Sequence, residues 1–357
     1  MTLPGLDVAP AVYTPPHVSA LHPQPAAASS IQLEYGKRLM LFSGRANPAL
    51  AGRIADRLGV ELGGVTLKTF SNGEVYCRYE ESIRGADVFI VQPTCANPQT
   101  GINPNDSLME LMVMIDAAIG ASAHRVIAVT PWYGYSRQDK KSSPREPISA
   151  RLVARMLEAA GADRVLTMDL HAGQLQGFFQ KPVDHMTAMF ILTQYFRDLA
   201  LQDLVVVSPD TGRAKLAKKF AEKMSAELAI LDKERPAQQV AEIAYVIGEV
   251  RDKTAVIVDD LIDTAGTLRA AGEAVMDKGA RRVFAAATHG VFSGNAWENL
   301  AASPFEEVVV TDTIPMRPGA PGTIRVLSCA DLLTDSIRRI FTDDSVSEVF
   351  GGENQLF

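Results

Sequence analysis

The chain has 357 residues, 47% of them apolar and 22% charged, the composition of a folded globular protein with length for about two domains. Its 42 acidic residues outnumber 35 basic ones for a net charge of −7, which argues against nucleic-acid binding through bulk positive charge. Any anionic ligand must then be held by local groups. The three cysteines, Cys77, Cys95 and Cys329, include no C-x-x-C pair, so neither a disulfide framework nor a zinc knuckle is indicated, and a cytoplasmic location is expected. No apolar run is long enough to span a bilayer, so no membrane partner is expected.

From Met1 to Leu33 the only charged residue is Asp7, and six prolines between Pro4 and Pro25 break any helix. The stretch lacks the basic start and unbroken apolar centre of a secretory signal. Residues 1–36 are expected to form a disordered tail. From Lys37 onward short apolar runs alternate with amphipathic stretches. Strands are predicted at Arg38–Phe42, Val88–Val91, Val126–Val129 and Val165–Met168. Helices are predicted at Asn47–Leu58, Ser107–Ile119 and Pro147–Ala160; in the first, Leu50, Ile54 and Leu58 recur every fourth residue. The rhythm then repeats. Helices are predicted at Met186–Leu199, Arg213–Met224 and Ala265–Met276, with strands at Leu204–Val207, Thr254–Val258, Val283–Ala287, Val308–Thr311 and Ile324–Leu327. Continuous apolar strands alternating with helices imply an α/β protein, with parallel sheets covered on both faces. The expected organisation is two similar domains, 37–182 and 183–335, with a segment 336–357 packing back on the first. In such folds ligands sit at the carboxyl ends of the strands.

The strongest signal is Ala255–Thr267, AVIVDDLIDTAGT. A buried strand ends in two adjacent carboxylates, and a loop of small and hydroxylated residues then opens a helix. Thr264, Ala265, Gly266 and Thr267 let backbone approach a ligand, and the free N–H groups at a helix start favour phosphate. Asp259 and Asp260 cannot both be sunk in a core unaided, since charges ~5 Å apart repel by roughly 3 kcal/mol at an effective dielectric of 20. They need water, a cation or sugar hydroxyls. A phosphate cradle beside acceptors for vicinal hydroxyls describes a sugar-phosphate site. The competing explanation is a helix cap at Asp263 or Thr264, but a cap needs one such residue and not the constellation. The segment matches the phosphoribosyl-diphosphate signature of type I phosphoribosyltransferases and their relatives, which does not separate making that compound from using it.

Other strand ends add to it. Phe70-Ser71-Asn72-Gly73-Glu74 offers a ring to stack on a base and polar groups for its edge, or forms a plain β-turn. Tyr135–Lys141 brings Arg137, Lys140 and Lys141 to one strand end, as phosphate clamp or solvated loop. His171 is a metal ligand or a satisfied polar residue, and Asp210 a magnesium ligand or a cap. Lys233-Glu234-Arg235-Pro236 is a solvated turn or a cationic flap over reacting phosphates.

The ordered set FSNGE, ESIRG, GYSRQDKK, EPISARLVA, DLHAGQLQGFF, SPDTG, DKERP, VDDLIDTAGT, THGVFSG and SVSEVF resembles the ribose-phosphate diphosphokinases, or phosphoribosyl-diphosphate synthetases, of the bacterial, phosphate-regulated class. The resemblance runs from about Lys37 to Phe350. It implies two domains of the type I phosphoribosyltransferase-like fold. It also implies transfer of the β,γ-diphosphoryl group of ATP to the anomeric hydroxyl of ribose 5-phosphate, supplying nucleotide, histidine and tryptophan biosynthesis. ATP binding falls on Phe70, Asn72, Gly73, Glu74, Arg137 and Gln138, and Mg2+-linked positions on His171 and Asp210. The ribose 5-phosphate loop falls on Asp263, Thr264, Ala265, Gly266 and Thr267, with Asp259 and Asp260 toward the ribose hydroxyls. Lys233 and Arg235 match a flexible catalytic loop, with Arg235 also toward the sugar phosphate, and Asp263 is implied to accept or orient the anomeric proton. The family's homo-oligomers, often hexamers, bind inorganic phosphate as activator and ADP as inhibitor at an interface; the matching positions are Ser82, Arg84, Gln176, Asp184, Ser345 and Ser347. His289, within THGVFSG, reads as structural packing. Departures are the tail, a stretch Asn97–Asn105 that looks longer than in many members, and Gly173 where some relatives carry Ser. Two rivals stand beside this reading. A phosphoribosyltransferase would share Asp259–Thr267 but would not need FSNGE, Arg137–Gln138 or the Lys233/Arg235 segment. A non-catalytic regulatory homologue would tend to carry changes at Lys233, Arg235, Asp210 or His171.

Overall fold

Aliphatic runs pair in register into two sheets that the chain builds one after the other. The computed structural model describes residues 36–237 and 240–350, without the side chains of 233–244 and 350; the tail expected before Lys37 lies outside the described residues up to position 35. The first sheet contains β1 (Leu39–Ser43), β4 (Asp87–Val91), β5 (Arg125–Thr130), β6 (Arg164–Met168) and β7 (Val183–Met186), in that spatial order and all parallel. Between β1 and β4 in sequence, β2 (Val65–Thr69) and β3 (Val75–Tyr79) form an antiparallel hairpin of their own. The second sheet contains β8 (Leu204–Ser208), β9 (Glu227–Ala237), β10 (Val240–Ile247), β11 (Thr254–Ile262), β12 (Arg282–Gly290), β13 (Val308–Thr311) and β14 (Ile324–Leu327). Its order is β10-β9-β8-β11-β12-β13-β14, parallel except for β10 against β9.

Side chains two apart along a strand share a face. Met40, Phe42, Val88, Ile90, Val126 and Ala128 therefore form one core with α2 (Pro104–Gly120) and α3 (Ser149–Ala160). Leu41, Phe89, Val91, Ile127, Val129, Leu166 and Met168 point the other way. They join a second core that also holds Val206, Val256, Val258 and Phe284 of the second sheet. That shared layer includes α1 (Pro48–Leu58), α4 (Met189–Asp198), α5 (Ala214–Met224) and α8 (Ala330–Thr342). The outer face of the second sheet, with Val205, Val207, Ala255 and Ile257, packs on α6 (Gly266–Asp277) and α7 (Ala296–Ala301).

Helix ends are set locally. Asn47 caps α1 by accepting from Leu50 N at 3.2 Å, with Pro48 next. α2 starts earlier than expected, at Pro104, because Asn103 and Asp106 form a capping box. Met186, expected to open a helix, ends β7 instead, and α4 starts at Met189. β7 pairs with β6, so the first sheet runs past residue 182. α8 lies against α1, and Arg57–Asp331, Arg125–Asp343 and Lys37–Asp343 ion pairs tie it to the first sheet's side.

Candidate active site

β11 runs on to Ile262, so Asp259 and Asp260 lie within the strand and not beyond its end, a correction to the expected Thr254–Val258. The extension is paired: Asp259 aligns with Ala287, and Leu261 with His289, on β12. A cavity of about 830 Å³ opens beside them, lined by loops from both sheets. After β5 come Arg137, Asp139 and Lys140; after β6, His171, Gln174 and Gln176; after β8, Asp210, Gly212 and Arg213. The strand-end rule thus brings together Arg137, His171, Asp210, Asp259 and Asp260.

The acid pair is compensated from within the protein. Arg213 Nε stands 3.3 Å from Asp259 Oδ1 and Arg213 Nη2 stands 3.0 Å from Asp260 Oδ1. His171 Nδ1 is 2.7 Å from Asp260 Oδ2. Burial pushes the Asp260 carboxyl up, but the His171 hydrogen bond and the Arg213 charge outweigh it and hold its pKa at about 2. Asp259 moves the other way: burial, then the charge of Asp260, raise it well above the usual carboxylate range against the pull of Arg213. One acid of the pair carries the charge while its neighbour is driven toward the neutral form. The sequence reading asked for water, a cation or sugar hydroxyls and did not single out Arg213, which it placed at the start of an expected helix. Its one clue was a cation directly following the SPDTG strand end.

His171 follows β6 after Asp169, whose backbone is left-handed (φ 35°). Asp169 is buried and accepts from Ala188 N at 2.8 Å and from Thr288 Oγ1 on β12 at 2.6 Å, fixing the His171 loop against the second sheet. Asp210 both caps and faces the cavity: its Oδ1 accepts from Arg213 N at 3.1 Å, and among the described residues it makes no ion pair. Of the two sequence readings of Asp210, the cap is the one this hydrogen bond shows.

Asp263 leaves β11 for the loop to α6. Its Oδ2 accepts from Arg137 Nη1 at 2.7 Å, joining a first-sheet loop to a second-sheet loop, and Oδ1 accepts from the Ser293 hydroxyl. Ala265 takes a left-handed conformation (φ 60°) and Gly266 is the first residue of α6. A Cβ at Gly266 would come no closer than 3.7 Å to a neighbour, so the cradle is open there. Thr264 and Thr267 are exposed, beside N–H groups that the first helical turn leaves without helical acceptors.

Other predicted residues lie apart. Phe70, Asn72, Gly73 and Glu74 form the tip of the β2–β3 hairpin, where Gly73 N donates to Phe70 O and Phe70 N to Glu74 O, each at 2.8 Å. Phe70 is 44% exposed, and the tip does not line the cavity within one chain. Gln138 is exposed one residue beyond Arg137 and is anchored by its backbone N–H to Tyr135 O at 2.9 Å. The backbone of Lys233 and Arg235 belongs to β9, so this segment is a strand of a hairpin with β10 and not an irregular turn; their side chains lie outside the described residues. Of the six regulatory positions, only Gln176 lines the cavity. Asp184 is paired with Arg164 at 2.8 Å, Ser345 and Ser347 hydroxyls meet at 2.8 Å, and Ser82 and Arg84 are exposed. His289 is buried on β12, with Nδ1 at 2.9 Å from Thr313 Oγ1 and its ring edge-on to Trp132, in keeping with a packing role.

Parallel sheets whose strand ends gather acids, an imidazole and cations around an open cavity define an α/β protein built to handle phosphorylated ligands. Residues 39–161 match the family described as the N-terminal domain of ribose phosphate pyrophosphokinase, and residues 235–351 match the phosphoribosyl synthetase-associated domain. The ribose-phosphate pyrophosphokinase of Caldanaerobacter subterraneus is 52% identical over 88% of this chain and 99% of its own. That of Gloeobacter violaceus is 48% identical over 92% of this chain and 98% of its own. The crystal structure of phosphoribosylpyrophosphate synthetase from Mycobacterium smegmatis aligns with a TM-score of 0.80 at 44% identity, covering 86% of this chain and 100% of that one. The chain belongs to the ribose-phosphate pyrophosphokinase family.

Proposed function

We infer that the chain transfers the β,γ-diphosphoryl group of ATP to the 1-hydroxyl of ribose 5-phosphate, giving 5-phosphoribosyl 1-diphosphate and AMP. The observation that carries this reading is the convergence of Arg137, His171, Asp210, Asp259 and Asp260 on one cavity, with Asp263 linked to Arg137, in a chain of this family. Phosphoryl transfer calls for positioning and charge neutralisation more than for a nucleophile. The residues fit that need. The Thr264–Thr267 loop takes the 5-phosphate, and Asp259 and Asp260 face the ribose hydroxyls. Arg137 lies between the two strand-end loops, where it meets phosphate from one side and Asp263 from the other. Asp263 accepts or orients the anomeric proton. Lys233 and Arg235 bring positive charge on the β9–β10 hairpin, with Arg235 also toward the sugar phosphate. Phe70, Asn72, Gly73, Glu74 and Gln138 hold the nucleotide, and the hairpin position of the first four suits their use by a neighbouring copy in a homo-oligomer.

Among the described residues no three His, Cys, Asp or Glu side chains stand close enough to cage a metal. His171 and Asp210 line the cavity, and Mg2+ prefers one or two protein ligands completed by phosphate oxygens and water. His171 and Asp210 would hold it. The Asp260 carboxylate, 2.7 Å from His171 Nδ1, orients the imidazole. When bound, the ion supplies neutralisation of charge on the phosphates. The same reading extends to a hexameric assembly with inorganic phosphate and ADP as effectors at Ser82, Arg84, Gln176, Asp184, Ser345 and Ser347. It extends also to two domains, with the division after β7 and not at residue 183, and to a cytoplasmic location. Among the described residues no helix is long and apolar enough to cross a membrane.

The test is to mix the chain with ATP, Mg2+ and ribose 5-phosphate and to separate the nucleotides. AMP formation that depends on the sugar is expected. ADP formation, or no reaction, would overturn the assignment, and turnover of 5-phosphoribosyl 1-diphosphate with a nucleobase would favour a phosphoribosyltransferase instead.

A further inference from the structure

Arg213 touches more of the candidate site than any sequence feature announced. Its backbone N–H is held by Asp210 Oδ1 at 3.1 Å. Its guanidinium reaches Asp259 at 3.3 Å and Asp260 at 3.0 Å. It also reaches His171 twice over: Nη1 donates to the His171 carbonyl at 2.8 Å, and Nη2 lies 2.6 Å from Nδ1 and 3.3 Å from Nε2. With its side chain only 15% exposed, this is a largely desolvated cation bound at the backbone to one expected metal ligand and through its guanidinium to the other.

We propose that Arg213 is a resident counter-cation of the Asp259–Asp260 pair that competes with the divalent cation for His171, so that metal binds well only as the guanidinium gives way. The proposal rests on the reading of His171 and Asp210 as Mg2+ positions. The physical case is the geometry of the imidazole. Nδ1 of His171 lies 2.7 Å from Asp260 Oδ2 and 2.6 Å from Arg213 Nη2, and the same Nη2 stands 3.3 Å from Nε2, so a donor-only guanidinium lies against both ring nitrogens through which a metal could be held. Two cations cannot share that space without large repulsion in a site shielded from water. The acid pair would otherwise be left with uncompensated buried charge, so the guanidinium stabilises the metal-free chain. Once displaced, the guanidinium stays tethered within reach of the cavity through the Asp210 cap. Its fork of donors suits phosphate oxygens arriving with the metal. This makes Arg213 a positioning residue that couples metal binding to nucleotide binding.

The experiment titrates Mn2+ alone into the intact chain without nucleotide, following free Mn2+ by electron paramagnetic resonance at mildly alkaline pH. The wild type is compared with Arg213→Gln and Arg213→Lys. Arg213→Gln should bind Mn2+ at least about tenfold more tightly, the equivalent of ~1.4 kcal/mol. Arg213→Lys, which keeps the charge but loses the fork, should fall between. Thermal melts give the second readout. Arg213→Gln should melt lower than wild type without metal and gain more from Mg2+. A purely structural role would weaken metal binding or leave it unchanged. Equal or weaker Mn2+ binding in a cooperatively melting Arg213→Gln chain overturns the proposal. If that variant does not fold, Mn2+ binding by Arg213→Lys no tighter than wild type does the same. Ribose 5-phosphate-dependent AMP formation by the wild type is scored separately: its absence alongside a tightened Mn2+ affinity would remove the functional assignment and leave the competition standing.

Discussion

Replacing Asp263 with Asn separates chemistry from folding. The Asp263 carboxylate takes one hydrogen bond from Arg137 at 2.7 Å and one from the Ser293 hydroxyl, while its backbone carbonyl accepts from Ser293 N at 3.1 Å. The Arg137 side chain is 51% exposed, so solvent screens the pair and its loss costs about 0.5 kcal/mol or less. The backbone bond survives the change, and an Asn oxygen still serves Ser293. The total loss of stability is therefore below ~1 kcal/mol, a fall in Tm of ~1–3 °C. A carboxylate that takes or orients a reacting proton contributes about 10²–10⁴ in rate. The expected outcome is a kcat for AMP formation lower by about a hundredfold or more with a nearly unchanged melting curve. The KM for ribose 5-phosphate should move far less than kcat, because the Thr264–Thr267 cradle is untouched. Calorimetric melts and ribose 5-phosphate-dependent AMP release measure the two quantities on one preparation. Near-normal kcat would refute the assignment to Asp263, and a large drop in Tm that tracks the activity loss would make the residue structural.

Phe70→Ala removes an exposed ring that meets Tyr76 edge-on, at 5.9 Å, and lies under Lys68. Stability should barely change, while the KM for ATP rises about tenfold or more, the worth of one base–aromatic stack; an unaltered KM argues against stacking. His185 is buried and accepts from Leu170 N at 2.8 Å, and burial lowers its pKa from 6.5 to about 4. Between those values the unfolded chain binds a proton that the folded chain refuses, so stability is full above 6.5 and falls as pH drops toward 4. His185→Gln should flatten that loss by up to about 3 kcal/mol in urea unfolding at stepped pH, and identical slopes would refute the account. Gly134→Ala would set a Cβ 2.8 Å from the Thr94 carbonyl oxygen, a backbone atom that cannot swing aside. A cost of ~1–3 kcal/mol is expected, with lower turnover because the same segment carries Arg137; wild-type Tm and activity together would contradict it.

What the sequence announced and what it hid divide along physical lines. Periodicity located β1, β5, β8, β13 and their helices because buried strands and amphipathic helices write their burial into the residue order. It stopped β11 at Val258 because charge looks like an ending, whereas the strand continues through Asp259 and Asp260 on ladder bonds to β12. β7, with Asp184 and His185 among its few residues, carries too little apolar signal to be told from a helix start. The site motifs fell at strand ends and were legible as types of group. Arg213 was not, since its meaning lies in contacts with residues that follow other strands, and linear spacing holds no record of such encounters. Phe70 was legible as an exposed ring, but its distance from the cavity lining was not.

α8 comes late in the chain yet belongs to an early neighbourhood. Its Leu333 and Ile337 join the layer that also holds Leu50 and Ile54 of α1, and Cys329 just before it donates to Asp312, which Arg53 of α1 also grips at 2.8 Å. During synthesis the opening half therefore waits, one greasy flank unsealed, until the ribosome has delivered the entire second sheet. Apolar surface left open in this way is prone to aggregate. A premature stop ahead of Ala330 would cripple the half of the protein that had already been made.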